Sequence, residues 1–462
     1  MTGEKNSPGP DMGPQKMKKE LFGTNGVRGV AGKEMTPKLV LSIGMALGSM
    51  RRGTIAVGMD TRTSGPALAS AMKAGLMAAG CNVVDCGILP TPALQYIVRG
   101  RFAAGAMITA SHNPPEYNGV KVIEADGTEM GDEETIALEQ RIFTSDFSFA
   151  DWSDAGREDP GGSLVSGYVD AVVGAFPKGI GKGMTVVVDP GCGAAVNTTP
   201  RILSRLGCRV FTLNAQADGT FPGRLPEPSI EGLGPLAEMV RSTGAAFGIA
   251  HDGDADRAVF VDETGQYIEE NVELALIADS ICSRERGVVV TPVSSSRLIE
   301  EIARRHGCDT VYTPVGSIYV ARTMIGLVEN GTPVALGGEG NGGVIYPKFQ
   351  FCRDGGMTAA MMVSLLSGQP RTLSGLIRDL PAFHMIKDKI RIQDPSRIIT
   401  TLVERYASES CDLTDGIRIN RPDSWVLVRP SGTEPLVRVM VESRDPDTAR
   451  DLYQEIMAYI SG

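Results

Sequence analysis

Asp252, Asp254 and Asp256 occupy every second position of the segment IAHDGDADRAVFVDE. Along an extended chain that spacing turns all three carboxylates to one side. Crowded carboxylates repel each other unless a cation neutralises them, and an all-oxygen donor set favours Mg²⁺ or Ca²⁺. An EF-hand loop is the natural competitor, because Glu263 falls at its twelfth position. Its sixth position, reserved for glycine, is Arg257, and the following AVFVD reads as a strand, so the EF-hand is rejected. A solvated acidic turn is the remaining alternative.

Four further segments carry chemistry of a compatible kind. In ITASHNPPEYNGVKV, Ser111 follows an apolar run and precedes an Asn-Pro-Pro turn, a setting that exposes its hydroxyl; His112, Asn113 and Lys121 lie nearby. That suits a nucleophile or phosphate carrier, with a plain Asx/Pro turn as the alternative. In GGEGNGGVIYP, five glycines let the backbone approach a ligand, while Glu339 and Asn341 can accept from and donate to sugar hydroxyls. In VRPSGTEPLVR, Ser431, Gly432 and Thr433 offer hydroxyl and backbone donors between Arg429 and Arg438, a phosphate cradle or else a simple hairpin turn. LFGTNGVRGV places Arg28 on a glycine-bracketed turn. A hydroxyl that can carry phosphate, a divalent-metal site, a hydroxyl-reading loop and an anion cradle converge on an enzyme that moves phosphate on a sugar.

These loops sit at the ends of apolar runs, where α/β folds place their ligand sites. A helix near 36–51 leads into TIAVGMD, a second near 65–79 into CNVVDCG, and a third into AAGAMITAS. The pattern restarts at MTVVVDPGCGAA and again at GVVVTPVSSS. The last stretch differs: IKDKIRI, a helix near 396–407, DGIRI, then two long runs around a tight turn and a final helix, which reads as antiparallel α+β. The expected division is a disordered tail over 1–19, three similar α/β domains over 20–158, 159–262 and 263–372, and a C-terminal α+β domain over 373–462. Gly/Ser/Pro-rich patches at 153–163 and 367–373 serve as joints, and Met17 would serve as an alternative start.

Composition narrows the partners. Of 462 residues, 55 are acidic and 45 basic, a formal charge of −10 that disfavours broad nucleic-acid binding. No apolar stretch approaches the roughly 20 residues that span a bilayer, and the N-terminus has no apolar core of a secretory signal. Eight cysteines without a CxxC pair point to reduced, buried thiols and the cytoplasm. The expected partner is a small phosphosugar, without nucleic acid or membrane, and a homodimer is compatible with the chain.

In order, the segments resemble the α-D-phosphohexomutase superfamily, whose FGTxGxRG, TASHNPxxxNGxK, DGDxDR, GExxxG and RxSGTEPxxR motifs run here from residue 21 to 438. The resemblance implies four domains around a central cleft, with Ser111 phosphorylated in the resting enzyme. It implies one Mg²⁺ held by Asp252, Asp254, Asp256 and a phosphoserine oxygen, and a hexose 1,6-bisphosphate as intermediate and activator. Glu339 and Asn341 would read sugar hydroxyls, and the Arg429–Arg438 loop would hold the non-reacting phosphate. Lys121 and His112 are candidates for proton transfer, with Arg28 and Arg257 stabilising the transferring charge. The FGTNGVRG opening is closest to the phosphoglucosamine mutase branch, and GEGNGG, lacking the histidine of the bacterial GExSGH, resembles its archaeal members. Ser317 stands where an acidic residue is common. Glucose or mannose phosphates are the alternative substrates, and a catalytically idle sugar-phosphate binder is the alternative class.

Overall fold

The computed structural model describes residues 19–23, 25–431 and 435–460. The tail expected over 1–19 therefore lies almost wholly outside the described residues, as do Gly432 and Thr433 of the expected cradle.

Three mixed sheets and one antiparallel sheet follow one another along the chain. The first orders its strands as Val27–Val30, Tyr117–Glu124, Ala104–Ile108, Thr54–Met59, Asn82–Ile88 and Glu158–Pro160. Its centre is parallel, and Tyr117–Glu124 and Val27–Val30 extend it antiparallel. The patch at 153–163, expected only as a joint, contributes the edge strand Glu158–Pro160. An edge position tolerates its proline, which cannot donate to a neighbour. The helices Pro37–Met50 and Gly65–Ala78 lie back to back on this sheet. A Cβ on Gly75 would stand 2.4 Å from Leu41 O, so glycine sets how closely they approach.

The second sheet runs Tyr267–Ile268, Ala258–Asp262, Phe247–His251, Thr185–Asp189 and Arg209–Thr212, and the third Asp309–Thr313, Val288–Pro292, Val334–Glu339 and Gly343–Ile345. Their central strands Thr185–Asp189 and Val288–Pro292 are valine-rich and almost wholly buried because helices cover both faces. The largest core cluster draws on all three units, from Leu94 through Phe260 to Met362. Tyr96 stacks on Phe349 at 5.3 Å and meets Tyr168 edge-on at 6.0 Å, so one aromatic junction joins the three units.

The C-terminal sheet is antiparallel, in the order His384–Arg391, Leu436–Ser443, Ser424–Pro430, Ile417–Arg421 and Ser410–Asp412. One face packs on the helices Pro395–Arg405 and Pro446–Ile460 through Val426, Val428, Val437 and Val439. The other turns Trp425, Leu427 and Met440 toward Val293 and Tyr312 of the third unit. All eight cysteines are free thiols, and Cys411 alone is not fully buried. No helix among the described residues is long and apolar enough to cross a membrane.

Candidate active site

Ser111 follows the strand Ala104–Ile108 in a left-handed backbone conformation, φ +51°, and is buried rather than exposed by the turn as expected, because the second unit's Asp252 closes over its hydroxyl. A non-glycine residue holds that geometry only when its surroundings impose it. Here the buried guanidinium of Arg62 imposes it, donating to the carbonyls of Ser111 (2.8 Å), Asn113 (2.6 Å), Pro114 (2.6 Å) and Tyr117 (2.9 Å), and to Asp60 Oδ2 (3.1 Å). Thr109 Oγ1 accepts from Ser111 N–H and donates to Asp60. The Phe221 ring, from the second unit, covers the guanidinium at 5.4 Å.

Asp252, Asp254 and Asp256 lie in the turn between the antiparallel strands Phe247–His251 and Ala258–Asp262, not along an extended segment as the spacing suggested. Ala255, at φ +54°, folds the chain back, and its N–H donates to Asp252 O. The carboxylates converge all the same: one oxygen of each lies within 4.8 Å of the others, and all three residues are buried.

Ser111 Oγ donates to Asp252 Oδ2 at 2.8 Å. Lys121, fully buried on Tyr117–Glu124, donates to Asp254 Oδ2 (2.8 Å) and Asp256 Oδ2 (3.0 Å). Burial works against its charge, but the two carboxylates outweigh that and raise its pKa. Burial, together with the Asp256 and Asp254 charges and against Arg257, pushes Asp252 up to about 7. Asp256 is equally buried, yet Arg353, Lys121 and Arg257 hold it well below the carboxylate range. Asp254 Oδ1 and Asp256 Oδ1 are buried without a hydrogen-bond partner. Two orphaned anionic oxygens beside a carboxyl strained toward neutrality fit a hard divalent cation.

Arg28, on Val27–Val30, reaches Asn113 Oδ1 at 2.8 Å, and burial lowers its pKa even beside Asp254 and Asp256. Arg257 holds Asp252 Oδ2 at 3.2 Å and Glu227 Oε1 at 3.1 Å, while its Nη2 is buried with no partner. His112 Nδ1 lies 3.4 Å from Ser111 Oγ and its Nε2 3.6 Å from Glu227 Oε2. Burial and the Arg257 charge lower its pKa to about 4, which leaves the ring neutral near pH 7.

Glu339 ends the strand Val334–Glu339, and its Oε2 accepts from Arg353 Nη1 at 2.9 Å. Asn341 Oδ1 accepts from Gly343 N–H at 3.1 Å, so that oxygen folds the loop itself. Ser317 Oγ reaches Asn25 Oδ1 at 3.4 Å and links the third unit to the Arg28 loop. In the C-terminal sheet Lys389, Arg438 and Arg429 stand directly opposite one another across three strands. Side chains alternate along strands, so these cations share the face of Leu427 and Met440, which is turned to the third unit. Arg429 Nε lies 3.0 Å from Asp415 Oδ2, and Ser431 N–H donates to Leu436 O. Like charges in register repel, and an anion on this face would relieve them.

Sequence reasoning missed Arg62, Arg353, Glu227 and Thr91, whose Oγ1 donates to Asp254 Oδ2 at 2.6 Å. The DTR that follows TIAVGM and the RDG that precedes a helix were the available signals.

Residues 19–149, 166–265 and 269–383 match phosphoglucomutase/phosphomannomutase alpha/beta/alpha domains I, II and III, and residues 389–458 match the C-terminal domain of the same family. The chain belongs to this phosphohexomutase family and is an isomerase of that class. It is 42% identical over 451 residues to a phosphoglucomutase/phosphomannomutase of Thermococcus kodakarensis, covering 94% of this chain and 96% of that one. It is 41% identical to a probable phosphoglucosamine mutase of Methanopyrus kandleri, covering 95% and 97%, and other archaeal proteins at 36–40% carry that same name. A family structure from Burkholderia thailandensis superposes with a TM-score of 0.86 at 28% identity, covering 95% and 96%.

Proposed function

We propose that the protein interconverts glucosamine-6-phosphate and glucosamine-1-phosphate through a phosphoserine at Ser111. The observation that carries this reading is the 2.8 Å hydrogen bond from Ser111 Oγ to Asp252, inside a carboxylate triad with two orphaned oxygens. Such a hydroxyl can take and give a phosphoryl group only where its charge is neutralised. Asp252, Asp254, Asp256 and an oxygen of the phosphorylated serine would hold one Mg²⁺, which supplies that neutralisation when bound.

The remaining roles fall to the chain. Arg28 and the free Nη2 of Arg257 flank the transferring group and stabilise its charge. Lys121 and neutral His112, whose Nδ1 lies 3.4 Å from Ser111 Oγ, are the candidates for moving the proton between the sugar hydroxyl and the serine oxygen. The P–O bond to Ser111 breaks as the bond to the sugar forms, giving a hexose 1,6-bisphosphate. Once that molecule has turned round, the serine takes back the other phosphoryl group. Glu339 and Asn341 read the ring hydroxyls in both orientations. Arg429, Ser431, Gly432, Thr433 and Arg438 hold the phosphate that is not reacting, in a cytoplasmic enzyme.

The glucosamine assignment rests on the archaeal relatives of that name and on Glu339, whose carboxylate can serve the 3- and 4-hydroxyls without excluding a 2-amino group. A second reading, glucose or mannose phosphate, is favoured by the name of the Thermococcus kodakarensis relative. A coupled assay on the three 6-phosphates separates them. Glucosamine-6-phosphate should give the highest kcat/KM, and a tenfold advantage for either other sugar would move the assignment.

A further inference from the structure

Arg353 precedes the helix Gly355–Leu366, is 5% exposed, and has no part in the roles set out above. Its Nη1 donates to Glu339 Oε2 at 2.9 Å and its Nη2 to Asp256 Oδ2 at 2.6 Å. One guanidinium thus holds the hydroxyl-reading carboxylate of the third unit and a triad carboxylate of the second. The seat is built for it. A Cβ on Gly343 would stand 2.2 Å from Arg353 Cδ, so the glycine of GEGNGG makes room for the arginine stem. Two backbone bonds run beside the fork, from Ala258 N–H to Gly342 O at 2.9 Å and from Gly355 N–H to Ala255 O at 3.2 Å. The metal-binding turn and the sugar loop therefore share one seam.

We propose that Arg353 is a positioning residue that couples the two loops, so that what engages Glu339 alters how strongly Asp256 holds a cation, and the reverse. A guanidinium can do this because its planar fork makes two directed bonds at once, whereas an ammonium is a single point charge. The two carboxylates share this one guanidinium, on which Glu339 draws alone while Asp256 also has Lys121 and Arg257. When Glu339 no longer claims it, the guanidinium settles on Asp256 and weakens the free Oδ1 as a donor to a cation. Conversely, a cation at Asp256 releases Arg353 toward Glu339 and fixes that carboxylate before a sugar arrives. Coupling of this kind is reciprocal by necessity. The role of Glu339 rests on the mutase reading, but the coupling between the two carboxylates does not.

The test measures Mn²⁺ binding to the full-length protein by titration calorimetry, with no sugar present. Glu339→Gln should weaken Mn²⁺ binding by about fivefold. In an Arg353→Met background the same change should have no effect beyond about twofold, because the link is gone. Arg353→Lys keeps the charge without the fork and should also abolish most of the Glu339→Gln effect, which secures the result if Arg353→Met does not fold. An equal Glu339→Gln effect in the Arg353→Lys background, or none in the native protein, would overturn the proposal. Mutase assays run in parallel keep the two readings apart: an inactive native protein with intact coupling would remove the function and leave Arg353 in place.

Discussion

At the scale of single residues, the site is a balance of buried charge. Three aspartates face Lys121, Arg257 and Arg353, and still two carboxylate oxygens find no hydrogen-bond partner. That imbalance is what a divalent cation would correct. Asp254→Asn removes one anionic donor while keeping the shape, so Mg²⁺ affinity should fall by about tenfold or more. Chelation by EDTA should abolish turnover and Mg²⁺ restore it; turnover indifferent to chelation would remove the metal from the mechanism. Ser111 makes the sharper test, because its hydroxyl is the one group of the chain proposed to carry phosphate. Freshly purified protein should show a phosphorylated mass fraction, absent in Ser111→Ala, whose turnover should fall by about a thousandfold or more.

At the scale of elements, the loops hold their geometry through residues that never meet substrate. Arg62 spends its guanidinium on four carbonyls and Asp60, and so keeps Ser111 in a backbone conformation it would otherwise leave. Lysine in its place keeps the charge but cannot reach every acceptor, and each buried carbonyl left bare costs about 1–3 kcal/mol. Arg62→Lys should therefore lower the melting temperature by several degrees and cut kcat about a hundredfold. KM for the sugar phosphate should stay within about threefold, since the binding loops lie elsewhere. A parallel loss in KM would show that the clamp acts through general unfolding.

This clamp also marks the limit of what the amino-acid sequence discloses. The strands TIAVGMD, AAGAMITAS and MTVVVDPGCGAA were legible because apolar runs that end in glycine and polar residues announce a strand and the loop that follows it. The Asp triad was legible because three carboxylates at alternate positions have few other uses, although the turn at Ala255, not strand pleating, brings them together. Arg62 and Arg353 were not. A buried arginine is recognised by acceptors distant in sequence, here the carbonyls of residues 111–117 and the carboxylates of Glu339 and Asp256, and the adjacent DTR and RDG segments mark a turn without reporting those acceptors. The patch at 153–163 does fall between the domain match that ends at residue 149 and the one that begins at 166, but its pairing was not legible: a polar, proline-bearing segment pairs as an edge strand only because Asn82–Ile88 offers it an open edge.

At the scale of the whole molecule, no unit holds the site alone. The first supplies Ser111 and Lys121, the second the triad and the third Glu339, and in the proposed reading the C-terminal sheet would add the row Lys389, Arg438 and Arg429. The last contribution depends on how that sheet is docked, through Arg297 on the carbonyls of Arg421 and Pro422, and through Arg418. Arg418 lies between Tyr312 of the third unit, at 4.7 Å, and its own neighbour Trp425, at 4.5 Å, and its Nη1 donates to Val293 O at 3.0 Å. Glu442 completes the contact by accepting from Trp425 Nε1 and from the backbone N–H of Arg297. Arg418→Ala removes the stacked guanidinium and strands a buried carbonyl, a loss of about 2–4 kcal/mol at the joint. The proposed phosphate cradle would then spend less time against the cleft. KM for the sugar phosphate should rise about tenfold or more. Mn²⁺ affinity measured without sugar should not change, because the triad and its partners Lys121, Arg257 and Arg353 all lie outside the C-terminal sheet. A matching loss of metal affinity would instead mean that Arg418 supports the whole chain, and the separate docking of the C-terminal unit would have to be given up.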